Sequence, residues 1–360
     1  QLGIGSTVNY RNAFTQVGTD TNWAQVSASN GFTIALKTNG TLWAWGQNGS
    51  GQLGDGTTVD KTTPVQIGTA TDWLIIAPGF THSMAIKTNG TLWSWGSNGT
   101  GELGDGTYTA KSSPVQVGTS TNWVTVSTGK YHSKAIKSDG TLWTWGSGIF
   151  GLHGDGTGND NTGFNKTSPI QIGTATNWTS VSAGYETCTA LRTDGSLWVW
   201  GNNNYGQVGD GTFVTRNIPI QNTTAVNCVA ISTGRGFHDL ALNATGEIWS
   251  WGLNVFGQLG NSTNTNSSIP VSISCEALSI DDVSLNGNGI TFYPNPVKDM
   301  LYFQSEQSII KVAVIDMAGR TLSLKTVEQN RLNLSELISG NYVLKIYTES
   351  GITSRILVKE

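Results

Sequence analysis

Side chains able to do chemistry recur in this chain at fixed intervals rather than in clusters. His82, His132 and His238 share one position, just before an Ala-Ile or Ala-Leu strand pattern. A metal centre would need such side chains about 2 Å from one ion. Equivalent positions on separate repeats do not converge that closely, so these histidines are expected to be structural, each hydrogen-bonded within its own repeat. Asp55, Asp105, Asp155 and Asp210 recur in Gly-Asp-Gly-Thr. A calcium loop sets several oxygen ligands at alternating positions, whereas each of these loops offers one or two carboxylates. Asx-turn formation is therefore the expected role. His153 is a lone replacement of Leu in its loop. Neither a metal nor a cofactor is expected.

Catalytic constellations are equally sparse. No G-x-S-x-G elbow occurs, and no cysteine sits in a specific His-Asp pattern. Cys188, Cys228 and Cys275 have unrelated spacings and no C-x-x-C. Cys188 falls where other repeats carry Thr or Ser and Cys228 where they carry Trp, which suits small core residues. A Cys228–Cys275 disulfide stays open. The unrepeated carboxylates are chiefly Asp60, Glu102, Asp160, Glu186, Asp239 and Glu247. A glycosidase pair can be distant in sequence, so a glycan-active enzyme remains an alternative, but the expectation is no catalytic residue.

The elements that must position all of this follow from a Trp-Gly pair at Trp45, Trp95, Trp145, Trp200 and Trp251, at steps of 50, 50, 55 and 51 residues. Such a period marks a repeat architecture. In the third unit, Asn122-Trp123-Val-Thr-Val-Ser is β-rich, His132–Lys137 follows, and Ser138-Asp139-Gly140 leads to Thr141-Leu-Trp-Thr-Trp-Gly146. The Asp-Gly, matched by Asn39-Gly40, Asn89-Gly90, Asp194-Gly195 and Thr245-Gly246, predicts a hairpin with a type I′ turn. A long Gly-x-Leu-Gly-Asp-Gly-Thr loop and a Pro-Val-Gln strand complete four strands per unit. Four-stranded units of this size stacked radially are propeller blades.

Composition narrows the function. Charged residues are 12% of the chain, against about a quarter on average, and the net charge of −4 gives no footprint for nucleic acid. No run approaches the roughly 18 apolar residues of a membrane span. Gln1 follows no initiator methionine or signal peptide and is not expected to begin the gene product.

Residues 1–275 resemble the repeats of the regulator of chromosome condensation family. The resemblance rests on the G-x-x-H-S-x-A-I strand (Gly79–Ile86, Gly129–Ile136), G-T-L-W-x-W-G, and N-G-x-G-x-L-G-D-G (Asn48–Gly56, Asn98–Gly106). It implies an all-β propeller, typically of seven blades. Here there are five full repeats and a partial one, with a sixth outer strand expected at Thr15-Gln16-Val17. An amino-terminal truncation, or a ring closed with fewer blades, would explain the count.

After a linker at 276–289, residues 290–360 predict a small β-sandwich. They resemble the type A sorting domain of the bacterial type IX secretion system. Tyr293-Pro294-Asn295-Pro296, the Gly319 turn, Gly340, Tyr342 and a basic final strand ending near Lys359 carry the likeness. It implies export across the outer membrane of a Bacteroidota-type, Gram-negative bacterium, to the surface or the medium, with the secretion machinery as a partner.

What varies between repeats is the long loop. It carries Tyr108, Phe150, Phe164, Tyr205, Phe213 and Phe256, and the third copy has an insertion near Gly158–Thr162. Rigid scaffolds present function on such loops, and Tyr is enriched in protein-binding surfaces; the alternative is that these rings plug gaps between blades. The expected function is non-enzymatic binding of an extracellular protein or glycan through this loop face. Related propellers include a nucleotide-exchange factor, a photoreceptor and a bacterial β-lactamase inhibitor. The photoreceptor's Gly-Trp-Arg-His-Thr motif is absent, and a secreted inhibitor is the alternative that suits export.

Overall fold

The computed structural model describes residues 2–6, 12–158, 164–234, 236–273, 290–305, 307–316, 321–327, 330–349 and 351–360. Cys275, residues 276–289, Gly319 and most of the third-loop insertion lie outside these. The chain divides into two compact units, Gln1–Ser274 and Cys275–Glu360.

The first unit holds five antiparallel sheets, each of four strands in sequence order. Blade 1 is Trp23–Ala28, Phe32–Lys37, Leu42–Gly46 and Lys61–Gln66. Blade 2 is Trp73–Pro78, His82–Lys87, Leu92–Gly96 and Lys111–Gln116. Blade 3 is Trp123–Thr128, His132–Lys137, Leu142–Gly146 and Lys166–Gln171. Blade 4 is Trp178–Ala183, Thr187–Arg192, Leu197–Gly201 and Arg216–Asn222, and blade 5 is Cys228–Thr233, His238–Asn243, Ile248–Gly252 and Ser267–Ile273. First strands of neighbouring blades touch one another and so lie nearest the axis.

The apolar cores lie between blades rather than inside them. One joins Phe32, Ile34 and Leu53 of blade 1 to Trp73, Ile76 and Trp95 of blade 2, and the pattern repeats along the array. In blades 1–4 this Gly-rich loop clasps the next blade's tryptophan. The Gln52 carbonyl accepts from Trp95 Nε1 at 2.9 Å and from Ser83 Oγ at 2.7 Å. The Glu102 carbonyl serves Trp145 and Ser133 in the same way. A buried asparagine pins the loop in blades 1, 2, 4 and 5: Asn98 Nδ2 donates to Asp105, Thr107 O and Thr109 O, while its Oδ1 accepts from Leu103 N. At the other end of blades 1–4, Lys37, Lys87, Lys137 and Arg192 each lie over two tryptophan rings. Blade 5 has Cys228 and Asn243 at the corresponding positions and no such cation–π stack among the described residues.

Four expectations need correction. Thr15-Gln16-Val17 forms no strand, because its partner would be a Trp-Gly strand and residues 1–14 contain none. The hairpin turns are not type I′: only the glycine has positive φ (Gly40 +75°, Gly140 +75°), and Gly40 N donates to Lys37 O. With Thr38 and Asn39 preceding it, this is a three-residue loop of type I turn plus left-handed glycine. His82 and His132 bond between blades, not within them: His82 Nε2 meets Ser133 Oγ at 3.0 Å and His132 Nε2 meets Cys188 Sγ at 3.4 Å. Finally, no extensive strand packing joins blade 5 to blade 1 among the described residues. Val26 of blade 1 is 66% exposed while its counterparts Ile76, Val126 and Val181 are 5–7%. The smaller closed ring is therefore not what forms.

The second unit has one sheet of Thr291–Tyr293, Met300–Gln304 and Arg331–Asn333. The other contains, in spatial order, Thr321–Lys325, Ile309–Asp316, Gly340–Thr348 and Gly351–Lys359. Between them lie Leu301, Phe303, Val312, Val314, Leu344, Ile346 and Leu357. The two prolines follow the first short strand. Between them Asn295 acts as a surrogate peptide unit: its Oδ1 accepts from Val358 N at 2.8 Å and its Nδ2 donates to Ile356 O at 3.2 Å. Val297 N then bonds Val358 O, so the Pro-Asn-Pro-Val segment zips onto the final strand. Tyr293 stacks on Tyr302, Tyr342 Oη donates to Ile338 O, and Lys359 is buried with Nζ on Glu360 O.

Candidate functional site at the loop mouth

Antiparallel order puts the loop between strands one and two, and the long loop between strands three and four, at the same end of every blade. Because first strands ring the axis, the shorter loops gather around its mouth. There Phe80 (blade 2), Tyr131 (blade 3), Tyr185 (blade 4) and Phe237 (blade 5) form a chain of aromatic contacts. Ring centroids are 6.5 Å apart for Phe80–Tyr131, 6.0 Å for Phe80–Tyr185 and 5.2 Å for Tyr185–Phe237. Tyr205, from a long loop, joins Phe237 at 5.4 Å. Lys130 Nζ lies 4.0 Å above the Tyr185 ring and 4.8 Å from Tyr131. Partial burial alone would lower its pKa, but the Tyr185 hydrogen bond and the neighbouring phenols and Glu186 raise it overall, so it is a firm cation. Glu186 accepts from Asn202 Nδ2 at 2.8 Å. These rings are only half-buried. The result is a small apolar anchor with one cation, the composition of a binding hot spot.

Of the sequence-predicted aromatics, Tyr205 alone enters this cluster. Tyr108, Phe164, Phe213 and Phe256 stand 57, 73, 57 and 88% exposed around it on separate loops, and Tyr205 is 38% exposed. They face solvent rather than plugging gaps between blades. Phe150 is half-buried in a short 3₁₀ turn, Ile149–Gly151. Phe80, Tyr131 and Phe237 were not singled out from sequence. Their signal was the variability of the two residues before the repeated histidine.

Of the unrepeated carboxylates that could have paired catalytically, Asp60, Glu102, Glu186 and Glu247 are tied into their own blades. Asp60 accepts from Asn48 N, Glu247 from Asn243 and Ser272, and Glu102 from Ser97 and Thr100. Asp160 lies outside the described residues. Asp239 is buried beside Thr233 and Gly234, and burial raises its pKa well above the usual carboxylate range. Cys188 Sγ is 3.4 Å from His132 Nε2, the distance of a catalytic dyad. Yet the thiol is fully buried, and burial, opposed only in part by Lys134, pushes its pKa up to about 11. Without thiolate or access it cannot attack an external substrate. A cleft of about 490 Å³ at the opposite end, between blades 4 and 5, has Asp194 as its single carboxylate. Among the described residues no group of three or more His, Cys, Asp or Glu is arranged to hold a metal ion.

His153 proves more than a stray substitution. Blade 3 has Gly148 where the other blades carry the loop-pinning Asn. His153 fills that space, its Nε2 donating to Phe164 O at 2.8 Å, the carbonyl equivalent to Thr109 O. Its Nδ1 faces Thr144 Oγ1 at 3.3 Å. Burial first and the Lys134 charge second hold its pKa at about 4, and the same two causes hold His132 well below the ordinary range. Both are thus neutral when folded, while the unfolded chain would bind their protons below pH ~6.5. Their stabilisation is complete above that pH and is lost as pH falls toward 4. Asp239 acts in the opposite sense. His153 by itself is expected to contribute a loss of about 1 kcal/mol per pH unit between pH 6 and 4.5, read from urea midpoints. In His153→Leu the slope should be shallower by about that amount; an unchanged slope would refute the assignment.

Comparison with known proteins gives the following. Residues 1–291 match the RCC1-like domain family, and residues 291–360 match the secretion system C-terminal sorting domain. RUG3, an RCC1 domain-containing mitochondrial protein of Arabidopsis thaliana, is 33% identical over 86 residues, which are 23% of this chain and 19% of that protein. The ultraviolet-B receptor UVR8 of the same plant is 33% identical over 105 residues, 29% of this chain and 23% of the receptor. The chain thus spans about a fifth of the length of these curated relatives. Among solved structures, human WBSCR16 superposes with a TM-score of 0.63 at 22% identity, covering 71% of this chain and 67% of that one. Prp20p from Saccharomyces cerevisiae gives 0.63 at 22%, covering 70% and 63%. These similarities establish the propeller fold. No helix among the described residues is long and apolar enough to cross a membrane.

Proposed function

This chain belongs to the RCC1-like domain family, and from that premise we propose that it is an exported, non-enzymatic propeller that binds an extracellular protein through its loop mouth. The observation that carries this reading is the Phe80–Tyr131–Tyr185–Phe237–Tyr205 cluster with Lys130 at its centre. Its aromatic anchors surrounded by the exposed rim of Tyr108, Phe164, Phe213 and Phe256 suit a protein partner. Precedent supports it as analogy: yeast RCC1 (Prp20) has been solved with Kap60 bound, and Prp20p has been studied for binding to Gsp1p and histones. A photo-crosslinker at position 131, compared with one at position 139 on the opposite end, identifies the partner in the organism's own medium. With that partner in hand, Tyr185→Ala/Phe237→Ala should weaken binding at least ~30-fold, about 2 kcal/mol, at unchanged folding. Binding unaffected by the double substitution would move the site elsewhere.

Export is assigned to the tail, read as a type IX secretion signal of a Bacteroidota-type bacterium that engages that machinery and delivers the propeller to the surface or the medium. Fusing residues 276–360 to a neutral periplasmic reporter should release it from a competent host. Retention of the reporter in the periplasm would remove this half of the reading.

A further inference from the structure

Any partner that covers the loop mouth must also cover Lys130. Its side chain is half-buried already, with Nζ 4.0 Å above the Tyr185 ring and 4.8 Å from Tyr131. Among the described residues it makes no ion pair, whereas cations of the surrounding rim are matched. Lys61, Lys111, Lys166 and Arg216, which open the fourth strands at the same end, pair with Asp55, Asp105, Asp155 and Asp210 of their own loops. Glu186, beside Tyr185, turns its Oε2 to Asn202 Nδ2 at 2.8 Å. A cation is not needed to build the blade here, since the equivalent positions hold Phe80 and Tyr185.

On the reading that the mouth is the binding face, we propose that it takes an acidic segment of the partner: an Asp or Glu whose carboxylate meets Lys130, flanked by a bulky apolar side chain. The apolar group rests on Phe80 and Phe237, whose rings flank Tyr185 at 6.0 and 5.2 Å. The reason is electrostatic. An aromatic wall loses its water when it is covered, and a charge taken out of water without a counter-charge is strongly unfavourable. An apolar or basic partner would leave the Lys130 ammonium in that state, so the mouth discriminates against it. A carboxylate removes the penalty through a charge-assisted hydrogen bond, strengthened by the low dielectric of the closed mouth. The faces of Tyr131 and Tyr185 hold the ammonium in place without neutralising it, and an ammonium has three hydrogens to donate. The matched rim adds no further call for negative charge. One carboxylate beside one apolar side chain is therefore the motif, rather than a run of acidic residues.

The probe is a random heptapeptide phage library panned on the full chain. Selected peptides should carry Asp or Glu next to an aromatic or large aliphatic residue. Panned on Lys130→Met, the same library should keep the apolar residue and lose the acid. A synthetic peptide of the leading sequence, and its amide version with Gln or Asn in place of the acid, complete a thermodynamic cycle with Lys130→Met, measured by fluorescence anisotropy. Each single change should weaken binding at least ~10-fold, and the two together no more than either alone. Peptides that need Tyr185 and Phe237 but show no acidic preference, or effects that multiply independently in the cycle, would overturn the acidic partner and leave the mouth as the binding face. Peptides whose binding survives Tyr185→Ala/Phe237→Ala, or a library that returns none above the bare support, would overturn the mouth and the acidic partner together. If Lys130→Met folds poorly, the wild-type selection and the amide peptide still decide.

Discussion

Gly104→Ala should cost the propeller about 3 kcal/mol, while Gly99→Ala, five residues earlier in the same loop, should leave it unchanged. Gly104 has a φ of +74°, where an L-residue is strained by about 1 kcal/mol. A Cβ there would lie 2.7 Å from Trp145 Nε1 and 2.8 Å from its Cδ1. That indole is fully buried and bonded to the Glu102 carbonyl, so it cannot yield without breaking the clasp between blades 2 and 3. Overpacking of a closed site of this kind adds roughly 1–3 kcal/mol. Gly99 has open space around its would-be Cβ and no positive φ. All 14 tryptophans lie in the first unit, so urea unfolding followed by tryptophan fluorescence reports the propeller without interference from the tail. Equal midpoints for the two variants would show that the clasp is not a stabilising contact. The same geometry holds for Gly54 against Trp95 and Gly209 against Trp251, with Gly3 set against Trp45 at the edge of blade 1.

The clasp also marks where reading the sequence succeeds and where it stops. The 50-residue step fixed the blades because each Trp-Gly pair ends a third strand at a glycine of φ 91–113°. At Gly96 a Cβ would press on His82 Cα at 2.7 Å. Such local requirements are written residue by residue and so recur visibly. The hairpin turn was misread because Asn-Gly fits two loops that differ by one residue, and only the backbone separates them. Contacts between repeats were invisible for another reason. His82 and Ser133, or Phe80 and Tyr185, lie about 50 or 100 positions apart, and their meeting depends on how blades stack around the axis. The loop aromatics were read from their own variability, which located Tyr205 but missed the mouth, where variation touches only the two positions before the second strand.

The exchange in blade 3 yields the second large effect, and it is a coupling rather than a loss. Gly148→Asn alone restores the repeat's asparagine but drives its Cβ to within 2.4 Å of Phe164 O and 2.6 Å of His153 Cδ2, an overpacking cost of about 2 kcal/mol or more. His153→Leu alone restores the repeat's leucine but strips Phe164 O of its donor and leaves a hole beside Gly148, costing about 1–3 kcal/mol. The double substitution recreates what blade 2 already contains. Asn98 reaches Thr109 O at 3.1 Å there, Leu103 fills the core, and Ser94 Oγ donates to Leu103 O as Thr144 would donate to residue 153. The pair should therefore be nearly as stable as the natural chain, with an interaction energy of about 2 kcal/mol or more, at the upper end for residues in contact. Urea midpoints of the four proteins at pH 7 measure it. Simple additivity of the two single costs would mean that His153 does not occupy the asparagine's place, and that the third loop, with its insertion and Phe164, is held by something other than this imidazole.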